Sequence, residues 1–137
     1  MEATSRASPP RRQPPGAFRF TRELYHQLAE RGAFKGLRTE LLEGEIVVMA
    51  PMSAEHAFAI QELQELLHEA KPAGLRVRGQ LPLSPDDESS EPEPDFAIVP
   101  FSEPGAEHPA TALLAIEVSF HSLKDDPERT ARSYANA

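Results

Sequence analysis

Apolar and polar positions along this chain follow two different periods. Leu24, Tyr25 and Leu28 recur at helical spacing behind Thr21, a residue suited to an N-cap, and Gly32 sits just past Arg31. That spacing predicts a helix running from Thr21 to Arg31. Thr39-Glu40-Leu41-Leu42 and the run from Glu45 to Met49 then flank Glu43-Gly44, the pattern of a β-hairpin whose glycine supplies a positive φ. Side chains alternate along a strand, so Glu40 and Leu42 share one face and Leu41 takes the other. Ser53 is placed to cap a second helix to about Ala70, with Ala59, Leu63, Leu66, Leu67 and Ala70 in one stripe. His56 falls inside that stripe, where a histidine is more often bonded to a core neighbour than functional.

From Leu75 to Leu81 the alternation is strict, with Arg76, Arg78 and Gln80 on the polar face of a half-exposed strand. Residues 84–93 are acidic and proline-bearing, and Asp86, Asp87, Glu88 and Glu91 read as solubilising charge. They lack the ligand spacing and the glycine of a calcium loop. Two short apolar strands follow, one from Glu93 to Val99 and one from Leu113 to Ser119. Asp126, with Pro127 after it, is placed to open a last helix. Helix, hairpin, helix, three strands and helix make an α/β (α+β) domain, a mixed central β-sheet flanked by helices.

Composition narrows the class. A chain of 137 residues, 39% hydrophobic and 26% charged, suits one small soluble core. The absence of cysteine excludes disulfides, thiolate zinc sites and cysteine nucleophiles, and is compatible with a reducing cytoplasm. No stretch approaches the ~20 apolar residues of a membrane span. Residues 1–16 are rich in proline and arginine without periodicity and read as a disordered arm. The net charge is -8, while residues 1–22 hold five arginines against Glu2, a balance of +4 that leaves -12 elsewhere. Such a surplus speaks against a broad phosphate-binding surface but suits a site that attracts a cation.

The chemistry concentrates in two acids. Asp95 stands at the mouth of one apolar strand, after a proline that donates nothing to a ladder, and Glu117 stands inside the next. An acid buried in a strand is costly unless something positive meets it. Two carboxylates from neighbouring strands suit a hard cation such as Mg²⁺. Equally, Asp95 caps a turn and Glu117 points to water from an edge strand.

The order of landmarks resembles the Uma-two family of restriction-endonuclease-like proteins, widespread in bacteria and part of the PD-(D/E)XK nuclease superfamily. They are Glu40-Leu41-Leu42-Glu43-Gly44-Glu45-Ile46, Met49-Ala50-Pro51-Met52-Ser53 with His56, Gln80-Leu81-Pro82-Leu83, Glu91-Pro92-Glu93-Pro94-Asp95, Ile116-Glu117-Val118-Ser119, Ser122-Leu123 and Tyr134-Ala135. The resemblance implies a restriction-endonuclease-like fold from residue 17 onward and a metal-dependent endonuclease acting on DNA. It implies Asp95 and Glu117 as ligands of Mg²⁺ or Mn²⁺, with the Val118 carbonyl as a further ligand and Glu40 as an additional catalytic acid. It implies a bacterial cytoplasmic protein with no membrane partner, and leaves room for a homodimer. Ser119 stands where the superfamily carries its lysine, and Thr130 where this family supplies one from the following helix. Lys124 is therefore the reserve candidate for the catalytic cation. Relatives continue into a further strand, so the chain is expected to be truncated at its C-terminal end. An inactive relative or fragment that serves as a DNA-binding or interaction module is the alternative.

Overall fold

A computed structural model of the chain describes residues 16–103, 105, 107–119, 128, 131, 132 and 135. All of the arm except Gly16 lies outside these residues, as do Lys124, Asp126, Pro127, Thr130 and Tyr134. Glu128, Ala131, Arg132 and Ala135 are helical.

Short-range signals set the first elements. Helix α1 spans Arg22–Glu30, and the Thr21 hydroxyl accepts the Leu24 N–H at 3.2 Å. Gly32 beyond it adopts φ 79°. Strands β1 (Thr39–Leu42) and β2 (Glu45–Val48) pair antiparallel, with Leu42 opposite Glu45. Glu43 and Gly44 both have positive φ, the geometry of a two-residue hairpin turn that matches strand twist. A Cβ at Gly44 would also lie 2.8 Å from the Cβ of Arg19, so the turn demands glycine twice over. Helix α2 spans Ala54–Ala70 behind the cap Ser53, whose hydroxyl accepts the His56 N–H at 3.1 Å. Its inward stripe is rotated from the expected one. His56, Ala59, Ile60, Leu63 and Leu67 are half-buried, whereas Leu66 and Ala70 are exposed.

Strands β3 (Leu75–Gly79), β4 (Phe96–Pro100) and β5 (Leu114–Ile116) form a second antiparallel sheet with β4 central. Helix α2 packs on β3. Phe96 is fully buried, and the missing side chain of its partner Gly79 leaves room for the ring. Leu83, Ala97 and Val99 form a core cluster to which Ala112 adds. All strand pairs among the described residues are antiparallel, and a Leu41–Glu91 bridge joins the hairpin to the segment that leads into β4. Helices and small antiparallel sheets together make a mixed α+β domain.

The stretch 84–93 departs from the solvated loop its composition suggests. Pro85, Ser90 and Pro92 are fully buried and Glu91 nearly so. The Arg22 guanidinium reaches into this loop and donates to the carbonyls of Pro85, Asp87 and Ser90 at 2.6–2.7 Å. Glu91 accepts from His26 at 2.7 Å and lies 3.8 Å from Arg22. Prolines 85 and 92 have no N–H to satisfy, which lets the backbone enter the core with fewer buried donors.

Candidate active site

The expected acids come from three segments: Glu40 from β1, Asp95 from the entry to β4 and Glu117 from beyond β5. Phe96 pairs with Ile116, the last pair of the β4–β5 ladder, so Asp95 lies just before β4 and Glu117 just beyond β5. Asp95 is 8% exposed, whereas Glu117 is exposed. The strand that was expected to run to Ser119 pairs only to Ile116. There the Val118 N–H turns from the backbone ladder to Asp95 Oδ2 at 2.7 Å, so a carboxylate replaces the carbonyl acceptor. On the other side of β4 the Gln80 N–H donates to the Asp95 carbonyl at 3.0 Å. Asp95 is thus fixed by backbone bonds from both neighbouring strands.

Helix α2 adds His56, whose Nε2 lies 3.5 Å from Asp95 Oδ1. The cap at Ser53 starts the helix in the register that aims this first-turn side chain at the acid. Glu40 approaches from the hairpin, where its Oε2 accepts the Glu93 N–H at 3.1 Å, two residues before Asp95. Nearby, the Tyr25 hydroxyl bonds to the Thr39 carbonyl and hydroxyl, both at 2.9 Å. Burial raises the Tyr25 phenol above its ordinary value, the Thr39 bond opposes this, and the charges of Glu91, Glu93 and Glu40 add to the rise. Burial, and then Arg76, push the Arg78 guanidinium below its ordinary value. Arg132 is engaged away from the acids, with its Nε 2.9 Å from Glu43 Oε1.

Among the described residues no group of three His, Cys, Asp or Glu side chains converges to enclose a metal ion. Mg²⁺ does not need such a cage, because it commonly keeps several waters and takes one or two carboxylates together with substrate phosphate. A carboxylate has about four lone-pair sites, so the Val118 bond leaves Asp95 acceptor capacity. The oxygen donors of Asp95 and Glu117 therefore fit a hard divalent cation. Lys124 lies outside the described residues.

The fold is that of a restriction-endonuclease-like domain. The Uma2 family model, described as "Putative restriction endonuclease", matches residues 22–137, which takes in every strand and helix named above, and the chain belongs to this family. Membership suggests nuclease activity, and nucleases of this kind usually use divalent metals. No curated protein matches the chain significantly. No solved structure does so either. No helix among the described residues is long and apolar enough to cross a membrane.

Reading along the sequence missed the Arg22–His26–Glu91 group that anchors loop 84–93. The one local signal was Glu91 at the head of an alternating Glu-Pro-Glu-Pro-Asp run, which puts Glu91, Glu93 and Asp95 in step.

Proposed function

We propose that the chain is a metal-dependent endonuclease that hydrolyses DNA phosphodiester bonds. Asp95 and Glu117 hold Mg²⁺ or Mn²⁺, with the Val118 carbonyl as a further ligand. The observation that carries this reading is the bond from the Val118 N–H to Asp95, which draws the residue after Glu117 against the buried acid. When bound, such an ion polarises a phosphate oxygen and lowers the pKa of a coordinated water. The Val118 and Gln80 backbone bonds hold Asp95 in place, so its carboxylate does not have to be ordered when substrate arrives. Glu40, on β1 and tied to the Glu93 backbone, acts as the additional acid. Lys124 orients the attacking water and offsets charge on phosphate. That assignment rests on the sequence, where Ser119 and Thr130 fill the two lysine positions.

Relaxation of supercoiled plasmid in Mg²⁺ tests this directly. The unmodified chain should nick, Asp95→Ala and Glu117→Ala should not, and Lys124→Ala should lose about 100-fold or more, the scale of one removed charge-stabilising group. Nicking retained in Asp95→Ala would overturn the assignment. Ser119 and Thr130 at the two lysine positions favour a second reading, a family member that binds DNA without cutting it. That reading predicts no nicking by the unmodified chain and its recovery in Thr130→Lys.

A further inference from the structure

The connection between α1 and β1, residues 31–38, reads Arg-Gly-Ala-Phe-Lys-Gly-Leu-Arg. It holds three of the chain's 14 basic residues and no acid, within a protein of net charge -8. Arg31, Lys35 and Arg38 are all exposed. Arg38 pairs with Glu93 at 2.6 Å, whereas Arg31 and Lys35 have no ion pair among the described residues. The loop is a chain of tight turns. Ala33 donates to Leu28 at 3.0 Å, Lys35 to Gly32 at 3.1 Å and Leu37 to Phe34 at 2.9 Å, and the Phe34 ring rests 5.4 Å from that of Tyr25. Gly32 and Gly36, at φ 79° and 82°, have nothing within 4 Å of where a Cβ would stand, so the backbone is open to an approaching molecule. A shallow concavity of about 480 Å³ opens here, lined in part by Gly32, Lys35, Leu37, Arg38, Thr39 and Glu93.

We infer that this loop is the surface on which the chain holds the sugar-phosphate backbone of duplex DNA. The inference rests on the nuclease reading and adds the place where the substrate docks. Charge selects the partner, because two exposed cations, without an ion pair among the described residues, on a pre-ordered loop suit a polyanion and lose little freedom when they bind it. Leu37, 53% exposed, gives an apolar contact for deoxyribose beside them. Position links the loop to the chemistry. Glu93 lines the concavity and Asp95 lies two residues further along the chain, which keeps their backbones within about 7 Å of one another. With a rise of ~3.4 Å per nucleotide, a strand held on the loop passes Asp95 within a few nucleotides.

The test is the salt dependence of binding to a labelled 20-base-pair duplex in EDTA, where no cleavage occurs. Each lost phosphate contact should reduce the slope of log affinity against log salt by about 0.9 and weaken binding near 0.1 M salt by about 8-fold. Arg31→Gln/Lys35→Gln should therefore lose about 1.8 of slope, with an unchanged melting temperature, while Lys71→Gln keeps the slope of the unmodified chain. An unchanged slope in the double variant, an equal loss in Lys71→Gln, or no duplex binding by the unmodified chain would overturn the inference. The nuclease reading fails separately. Slope lost without any Mg²⁺-dependent nicking leaves the docking surface standing and removes the enzyme, while equal nicking by the double variant and the unmodified chain removes the surface and leaves the enzyme.

Discussion

Asp95 Oδ2 accepts the backbone N–H of Val118 at 2.7 Å, two residues past Ile116, where the β4–β5 ladder ends. The acid is thus a structural acceptor as well as a candidate ligand. In EDTA, Asp95→Ala should lower stability by about 1–3 kcal/mol, because a part-buried N–H loses its partner. Asp95→Asn keeps an acceptor oxygen and should lose less. Urea unfolding of the three chains measures the order, and equal stability of all three would show that the bond contributes nothing.

Arg22 should prove the most sensitive cation in the chain. Its guanidinium satisfies the carbonyls of Pro85, Asp87 and Ser90, and Glu91 lies beside it. Arg22→Ala should cost about 2–4 kcal/mol, as several part-buried acceptors lose their donor together. Arg22→Lys should recover only a fraction, since an ammonium lacks the planar fork that spans three carbonyls. Thermal melts of both variants check the ranking.

This clamp also explains where the sequence misleads. Thr21, Ser53 and the Glu43-Gly44 turn act on residues within a few positions, so α1, α2 and the hairpin were readable from the chain alone. Loop 84–93 was not, because its acids and prolines match a solvated segment while its organising donor lies more than 60 residues away. The end of β5 was unreadable for the same reason, as its last acceptor is the side chain of a residue 23 positions earlier. The pairing of the two strands that Asp95 and Glu117 flank was legible in outline, since each acid marks one apolar run. The link of Asp95 to His56 depends on how α2 packs, which the spacing of apolar residues set only approximately.

Tyr25 gives the fold an alkaline limit. Its phenol is raised above 10.0, chiefly by burial, so the neutral form belongs to the folded state. The stability this contributes is fully present below pH 10.0 and is lost as pH rises from there through the folded value. Denaturation midpoints should hold steady from pH 8 to 10 and fall beyond it, while Tyr25→Phe should lose the Thr39 bond, about 1 kcal/mol, and flatten the alkaline decline. A decline of the same size in Tyr25→Phe would assign it to other groups.

The central claim is that Asp95 and Glu117 jointly hold one divalent cation. Isothermal titration with Mn²⁺ and Mg²⁺ tests it most directly. One ion per chain should bind to the unmodified protein, and both Asp95→Ala and Glu117→Ala should abolish that binding while remaining folded. Binding of equal strength in all three chains, or none by the unmodified protein at millimolar metal, would contradict the account.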